Sequence, residues 1–251
     1  MYCRNRFYIS ETEQQRMRDC KIVFGGLGLG SVIAECALRI GFENLHLIDG
    51  DVVELSNLNR QNYTQTDIGK PKCMALYERL KSINPNANIR YSNVFLTSEN
   101  IREHLAGADI AVNAIDFTSN APFIFDDICF EMGIPSVHPY NLGYGGLVYV
   151  LTKESANLRS LSDTCNDKVI NVVNHALNVL DKKGIDLSVF KNVVAEYLAE
   201  QGKEQPPQLS IASWVLGGIC TDIFLKILRK EPIPIFPDFY YLDSKLNSFK
   251  S

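Results

Sequence analysis

The sequence predicts an α/β fold built around a doubly wound, mostly parallel β-sheet. From about residue 21 to residue 140, apolar segments of strand length alternate with segments of helical periodicity. A glycine-rich turn, "FGGLGLGS", joins the first of these strands to the first long helix. Beyond residue 146 the alternation stops, which indicates a C-terminal antiparallel and helical extension.

The first half of the chain predicts strands and helices in alternation. Ser10 and Glu13 form a capping-box pattern, which predicts a short polar helix before the strand "KIVFGG". The helix "SVIAECALRI", ended by Gly41, and the strand "NLHLI" complete a βαβ unit. The order continues with a helix in "GKPKCMALYERLKSINP", a strand in "NIRYSNVF", a helix in "SENIREHL", a strand in "DIAVNAID", a helix in "NAPFIFDDICFEMG" and a strand in "PSVHPY".

The second half predicts fewer strands. "GLVYVLT" predicts an antiparallel edge strand, residues 155–167 a polar loop, and residues 169–180 and 187–200 two helices. "LSIASWVLGGICTDIFLKILRK" predicts a long helix, and "PIPIFPDFYYLD" a proline-rich passage into a final strand. Because Asp222 and Lys226 interrupt the apolar segment, we expect a buried helix and not a membrane span.

Composition indicates an ordinary globular chain of one domain over residues 1–251. Hydrophobic residues make up 46% of the chain and charged residues 22%, which argues against disorder. The net charge of −4 disfavours nucleic acid as the main partner. The N-terminal segment lacks the apolar stretch of a secretory signal, so we expect a cytoplasmic protein with no membrane partner.

The seven cysteines are scattered along the chain, and none forms a C-x-x-C pair. This distribution is typical of reduced intracellular thiols. It also removes the usual sequence evidence for a structural zinc ion, so we expect no zinc.

The glycine-rich turn predicts a nucleotide site. Gly25, Gly28 and Gly30 lie between a strand and a helix, where backbone N–H groups and the helix N-terminus can face a phosphate. Asp49 follows the next strand, at the place from which a carboxylate reaches a ribose hydroxyl. Oxidoreductases that bind NAD or FAD share this pattern. The alternative is a turn that only permits close packing of helix on strand.

The polar stretch "DGDVVELSNLNRQ", followed by "GKPK" and later by "NAID", resembles the ThiF/MoeB/HesA family of adenylating enzymes. These are the prokaryotic relatives of the ubiquitin-activating E1 enzymes. The resemblance runs from about residue 2 to residue 140 and resumes in the C-terminal helix and strand. It implies a Rossmann-like fold of E1/ThiF type, with a nucleotide-binding half at about 1–140 and a substrate-side and dimerisation half at about 141–251.

The resemblance implies roles for individual residues. The nucleotide-binding set is Gly25, Gly28, Gly30, Asp49, Asp51, Asn57, Arg60, Gln61 and Lys72. Asp49 would hold the ribose. Asn57, Arg60 and Gln61 would line the phosphate pocket, and Lys72 would neutralise the phosphates. The catalytic set is Arg4, Arg60, Lys72 and Asp116. Asp116 would help bind Mg²⁺, and Arg4, with Arg6 in reserve, would reach the ATP of a partner subunit.

The function implied is that of an adenylyltransferase. It would use Mg·ATP to adenylate the C-terminal carboxylate of a small ubiquitin-like or sulfur-carrier protein ending in Gly-Gly, release pyrophosphate and act as a homodimer. Cations suit this reaction, because the attacking carboxylate brings an anion to an already anionic nucleotide. The substrate carboxylate is its own nucleophile, so no Ser-His-Asp triad is required.

Some residues depart from the family pattern or have a second interpretation. Leu27 occupies the place of a glycine in the usual G-x-G-G-x-G turn. Cys165, in "SDTCNDK", lies about where related proteins that form a thioester carry a cysteine, so it is a candidate thiol nucleophile. The alternative, an incidental thiol in a loop, has at least equal weight. Asp116 could instead cap the next helix together with Ser119. For His138 we expect a structural hydrogen bond and no catalytic role.

Three other functions stay open. A tRNA threonylcarbamoyladenosine dehydratase shares the fold and the ATP chemistry, and "LTSENIREHL" resembles that branch, whereas the acidic pI of about 5.6 disfavours it. An NAD-dependent oxidoreductase would use the glycine turn and leave "SNLNRQ" and Lys72 unexplained. A non-catalytic nucleotide-binding scaffold would bind ATP without exchanging pyrophosphate.

Overall fold

The computed structural model describes residues 1–116, 119–161, 168–200 and 205–244. Its strands are β1 (Lys21–Gly25), β2 (Asn44–Ile48), β3 (Asn88–Ser92), β4 (Ile110–Asn113), β5 (Ser136–Asn141), β6 (Gly145–Leu151) and β7 (Tyr240–Asp243). Its helices are α1 (Glu11–Asp19), α2 (Leu29–Ile40), α3 (Lys72–Ile83), α4 (Ile101–Leu105), α5 (Ala121–Met132), α6 (Lys168–Lys182), α7 (Ser188–Ala199) and α8 (Ser210–Arg229).

The seven described strands form one sheet in the order β3-β2-β1-β4-β5-β6-β7. The first five strands pair in parallel, and β6 and β7 pair antiparallel. The predicted doubly wound, mostly parallel fold is confirmed. Gly25 pairs in register with Ile48 on one side and with Asn113 on the other. The loops that follow β1, β2 and β4 therefore begin side by side, where the strand order reverses.

Helices cover both faces of the parallel part of the sheet. Alternate residues of β1 enter different apolar clusters, because successive side chains of a strand point to opposite faces. Phe24 packs with residues of α1, α2, α3 and α8 on one face. Val23 packs with residues of α4 and α5 on the other face. The sheet thus forms the middle of three layers.

β6 and α4 differ from the sequence prediction in ways that have a clear physical reason. β6 is antiparallel as predicted, but it is not an edge strand, because β7 pairs along its outer side. α4 begins only at Ile101, although the sequence predicted a helix over 98–105. Asn100 Oδ1 accepts the N–H of Thr97 at 2.9 Å, and this side-chain contact holds residues 97–100 as a turn.

α8 is the only helix among the described residues that is long and apolar enough to cross a membrane by length and composition. Half of its apolar window is buried, and the helix packs against α2 and β6. These are the contacts of a core helix, in agreement with the buried helix expected from Asp222 and Lys226. Its outer face carries Ile211, which is 42% exposed, and Trp214, which is 56% exposed.

Candidate functional site

A small open cleft of about 80 Å³ lies at the carboxyl ends of β1 to β4. Each strand contributes to its walls through the residues that follow it. Gly26 comes after β1, Asp49 and Asp51 after β2, Phe95 after β3 and Asp116 after β4. A cleft at this edge and at the reversal of strand order is the position where ligands bind in open α/β sheets.

The glycine turn brings the backbone of the β1–α2 connection against the loop after β4. Gly26 has φ +83°, and a Cβ there would lie 2.2 Å from the carbonyl oxygen of Ala114. Gly28, the residue before α2, lines the cleft, and its Cβ position lies 3.2 Å from Nε2 of Gln61. The N-terminus of α2 is therefore open to the cleft, with no side chain of the turn in front of it.

Gly25 and Gly30 are placed differently from Gly28. Gly25 ends β1, where a Cβ would lie 3.0 Å from side-chain atoms of Leu96 and Phe125. Gly30 is buried in the first turn of α2. Gly25 permits this close packing, whereas a Cβ at Gly30 would lie 3.7 Å from its nearest neighbour, an ordinary contact. The assignment of both glycines to nucleotide binding stays a prediction.

Leu27 directs its side chain away from the cleft. The residue is fully buried in the core cluster that contains Phe24. Its backbone N–H donates to Oδ2 of Asp49 at 2.7 Å, and its carbonyl accepts from the hydroxyl of Tyr63 at 2.8 Å. The missing glycine of the family pattern is thus replaced by a core residue, and the approach to the cleft is unobstructed.

Asp49 is fixed by backbone groups on both carboxylate oxygens. Oδ2 accepts from Leu27 N, and Oδ1 accepts from Asp51 N at 2.8 Å. Burial raises the pKa of Asp49, and the charge of Lys72 and the two N–H donors oppose that rise. The carboxylate therefore has a defined position on the cleft wall, as a group that recognises a ribose requires.

Lys72, the first residue of α3, carries the cleft's ammonium group. Its Nζ lies 3.0 Å from Oδ2 of Asp51, and its side chain is 8% exposed, whereas that of Asp51 is 45% exposed. The predicted set of Asp49, Asp51 and Lys72 is thus brought together in space. Their roles toward a ligand stay predictions.

Asp116 lines the same cleft, just after β4. Asp116 is exposed at the open side of the cleft. The surrounding protein atoms still desolvate its carboxyl partly and raise its pKa, while the positive charges of Lys72 and Arg60 oppose the rise. Its carboxylate accepts no hydrogen bond from the described part of the chain. Ser119 Oγ, and not Asp116, accepts the N–H of Ala121 at the start of α5, at 3.2 Å. The capping alternative for Asp116 therefore finds no support.

Asn57, Arg60 and Gln61 lie in the polar stretch before α3. Asn57 is buried, and its Oδ1 accepts the N–H of Glu54 at 3.0 Å, so its side chain shapes this loop. Gln61 lies against Gly28, and its Oε1 is buried without a hydrogen-bond partner among the described residues. Nε of Arg60 donates to Oε1 of Gln208, a residue far along the chain, at 2.6 Å.

A buried ionic network holds the far end of the polar stretch. Glu35 of α2 accepts hydrogen bonds from Arg79 at 2.6 Å, from Arg39 at 2.7 Å and from Asn62. Burial opposes ionisation of Glu35, but these donors outweigh it and lower the pKa of the carboxyl. Asn62 also donates its backbone N–H to Ser31 Oγ at 3.0 Å. Residues 54–62 thus end in a rigid attachment to α2 and α3.

Arg4 lies away from the cleft of its own chain. It is exposed in a short 3₁₀ turn, Cys3–Asn5. The next residue, Asn5, donates to the carbonyl of Ile40 at 2.8 Å, at the C-terminal end of α2. The cleft lies at the N-terminal end of the same helix. Arg4 therefore lies far from the cleft of its own chain, and its catalytic role stays a prediction.

Sequence reasoning missed the apolar wall of the cleft. Val94, Phe95 and Leu96 follow β3 and line it. The ring of Phe95 is 66% exposed and lies so close to Gly50 that a Cβ there would be 2.7 Å from it. A sequence signal existed, because these residues directly follow a strand of the parallel sheet.

His138 lies in a buried hydrogen-bond network, as expected. Its Nδ1 lies 3.1 Å from Oδ2 of Asp126, while Oδ1 of Asp126 accepts from Ser136 at 2.7 Å and from Asn113 at 2.9 Å. Cys165 falls outside the described residues. Within the described residues, no three His, Cys, Asp or Glu side chains are grouped so as to hold a metal ion. The expected absence of zinc stays a prediction.

The fold and the cleft define a doubly wound α/β domain with its polar site at the strand-order reversal. More particularly, the chain belongs to the ThiF family, whose sequence profile matches residues 2–251. This confirms the resemblance of the polar stretch and the motifs that follow it.

Curated relatives match the chain over part of their length. The sulfur carrier protein ThiS adenylyltransferase of Bacillus subtilis is 34% identical over 151 residues, which covers 59% of this chain and 45% of that protein. The SAMP-activating enzyme E1 of Haloferax volcanii is 31% identical over 143 residues, which covers 56% of this chain and 52% of that protein. The chain thus spans about half the length of the curated relatives it matches.

Solved structures share the fold over most of the chain. Escherichia coli MccB, in a crystal structure with ATP, superposes with a TM-score of 0.69 at 17% identity, over 93% of this chain and 63% of that chain. TcdA (CsdL) is 30% identical with a TM-score of 0.52, over 56% of each chain. The Rossmann-like fold of E1/ThiF type is therefore confirmed.

Proposed function

We propose that the chain is an adenylyltransferase that uses Mg·ATP to activate the C-terminal carboxylate of a small sulfur-carrier or ubiquitin-like protein ending in Gly-Gly. The observation that carries the proposal is the meeting of Asp49, Lys72 and Asp116 in one cleft beside an open helix N-terminus. Relatives named as adenylyltransferases of sulfur-carrier proteins support the reaction class. A relative named as an E1 enzyme supports the class of substrate.

In this reaction a carboxylate oxygen of the carrier attacks the α-phosphorus of ATP. A new P–O bond forms, the bond from that phosphorus to the bridging oxygen breaks, and pyrophosphate leaves with the electron pair. Negative charge gathers on the phosphates as two anions meet. Lys72 and Arg60 would supply positive charge, the N-terminus of α2 would supply N–H donors, and Asp49 would hold the ribose in register.

A magnesium ion that enters with the nucleotide would find carboxylate ligands in the cleft. Mg²⁺ prefers one or two carboxylates together with phosphate oxygens. Asp116 has a carboxylate without a described hydrogen-bond donor, and Asp51 lies near enough to raise its pKa. Asp116, with Asp51 nearby, would hold the ion, which would neutralise part of the phosphate charge.

A homodimer would complete the site. Arg4 is exposed and far from its own cleft, so it would act on the ATP of a partner subunit. The outer face of α8, with Ile211 and Trp214 exposed, offers apolar surface for self-association.

ATP–pyrophosphate exchange tests the proposal. The purified chain is mixed with Mg²⁺, ATP, labelled pyrophosphate and small carrier proteins that end in Gly-Gly. We expect label to enter ATP only with a carrier whose terminal carboxylate is free, and a carrier with an amidated C-terminus is the matched control. ATP binding without exchange by any carrier would indicate a scaffold, and NAD binding in place of ATP would indicate an oxidoreductase.

A further inference from the structure

Arg60 joins the two halves of the chain. Its Nε donates to Oε1 of Gln208 at 2.6 Å, across 148 positions of sequence. The neighbouring Asn59 donates from Nδ2 to the carbonyl of Gln208 at 3.3 Å. Gln208 lies just before α8, in the half of the chain expected to face the substrate. A loop of the nucleotide side is thus held by a residue of the substrate side.

The contacts of Arg60 fix the orientation of its guanidinium. Nη1 donates to the carbonyl of Ser56 at 2.9 Å and to Oδ1 of Asn59 at 2.8 Å. With Nε bonded to Gln208, Nη2 is the nitrogen without an acceptor among the described residues. Burial lowers the pKa of Arg60, and the charge of Asp116 opposes that shift. The geometric link to the cleft is the next residue, Gln61, whose Nε2 lies 3.2 Å from the Cβ position of the cleft residue Gly28, so Arg60 lies at the margin of the cleft.

Gln208 is itself held in place. Pro207 precedes it, and the proline ring restricts the backbone on that side. On the other side, the carbonyl of Leu209 accepts from Nδ2 of Asn141 at 3.0 Å, at the end of β5. The backbone beside Gln208 is therefore anchored to the end of β5 independently of Arg60.

We propose that Gln208 is a positioning residue for nucleotide binding: its amide oxygen turns the guanidinium of Arg60 so that Nη2 faces the phosphates of ATP. The inference rests on the proposed function, since it requires a nucleotide in the cleft. This contact also couples the end of β5 to the phosphate site, because a displacement of Asn141 and Leu209 would move Gln208 and with it Arg60.

A double-mutant cycle on ATP affinity tests the inference. Gln208→Met keeps the length of the side chain and removes the acceptor oxygen. Calorimetric titration is carried out on wild type, Gln208→Met, Arg60→Ala and the double variant, with Mg·ATP and with adenosine. Gln205→Met, in the same segment and without a described side-chain hydrogen bond, is the matched control.

We expect Gln208→Met to bind Mg·ATP about tenfold more weakly, the order of effect of a hydrogen bond to a charged group. The double variant should bind no more weakly than Arg60→Ala alone, because the effect passes through Arg60. Adenosine, which lacks phosphates, should bind Gln208→Met and wild type equally.

Four results would overturn the inference. The first is unchanged or tighter binding of Mg·ATP by Gln208→Met. The second is a loss that adds to that of Arg60→Ala, and the third is an equal loss for adenosine, since both would indicate a general structural role. In the fourth, wild type itself binds no Mg·ATP, and the proposed function fails together with the inference.

Discussion

Lys72 and Asp51 are joined twice. Nζ of Lys72 lies 3.0 Å from Oδ2 of Asp51, and the backbone N–H of Lys72 donates to the carbonyl of Asp51 at 2.9 Å. The two contacts fasten the first turn of α3 to the loop after β2. An ammonium group with little access to water is thereby held at the cleft, where its attraction for a phosphate is weakly screened.

Lys72→Ala is expected to abolish the stabilisation of the chain by Mg·ATP, because the variant removes this cation and leaves Asp51 to repel the phosphates. Lys70→Ala is the matched control, since Lys70 pairs with Asp67 and Glu78 at 3.3 Å and does not line the cleft. The rise in unfolding temperature on addition of Mg·ATP measures binding, because a ligand of the folded state stabilises it by mass action. Equal shifts for both variants would remove Lys72 from the nucleotide site.

Gly26→Ala is expected to destabilise the chain far more than Gly69→Ala. Both glycines have φ +83°, so either alanine adopts a strained backbone, which costs about 1–2 kcal/mol. At Gly26 the new Cβ would also lie 2.2 Å from Ala114 O, whereas at Gly69 nothing lies within 4 Å. Urea unfolding gives the two free energies. Equal losses would show that the turn can open away from the β4 loop.

Asp116→Asn is expected to change the pH dependence of stability. The pKa of Asp116 is raised in the folded chain, so the folded state holds this proton more tightly than the unfolded chain does. Wild-type stability therefore falls as pH rises from the ordinary carboxyl pKa to the raised one. Asparagine has no such proton, so the variant should gain stability relative to wild type over that interval. Unfolding free energies of wild type and variant at several pH values check this. A difference between the two that does not change with pH would contradict the prediction.

The same variant should lose the effect of magnesium on ATP affinity. The neutral amide is a weaker ligand for a hard cation than the carboxylate is. Titrations with and without Mg²⁺ should differ for wild type and coincide for Asp116→Asn. A magnesium effect retained in the variant would place the ion elsewhere.

Phe95→Ala is expected to weaken ATP binding by about three- to tenfold, the range of one aromatic contact. The ring lines the cleft and is 66% exposed, so its loss should leave the unfolding free energy nearly unchanged. Phe130→Ala is the control, because Phe130 is 44% exposed and does not line the cleft. Equal affinities for both variants would exclude Phe95 from contact with the nucleotide.

Mixing Arg4→Ala with Lys72→Ala tests the shared site. Each variant alone should be inactive in pyrophosphate exchange. In the proposed homodimer, a mixed pair would have one site with both an intact cleft and an intact Arg4, so random pairing should restore about one quarter of wild-type activity. Trp214→Glu, which places a charge on the outer face of α8, should prevent this recovery. Activity of Arg4→Ala alone would contradict the role of Arg4.

The sequence predicted the order of the elements because local patterns determine them. The strand, glycine turn, helix and second strand of the first βαβ unit carry their signals within their own residues. The outer side of β6 could not be assigned in this way, because its partner β7 lies about ninety residues later and contributes a long-range pairing.

The site was predicted unevenly for a related reason. Asp49, Lys72 and Asp116 are polar residues at strand and helix ends, so their residue types draw attention to them. Phe95 is apolar, and an apolar residue after a strand has the same pattern as a core residue. The contact between Arg60 and Gln208 depends on how α8 packs on the sheet, which no local pattern encodes.

The bonds of Glu35 with Arg79 and Asn62 lie within the chain itself and require no ligand, so folding alone would order the loop over residues 54–62. The loss of conformational entropy in this loop belongs to folding and not to association. Arrival of a nucleotide would then require little rearrangement here, and its association rate would be set by encounter more than by loop closure. Substitutions at Glu35 would slow association and weaken affinity at a distance from the ligand, by returning to the loop the freedom that folding removes.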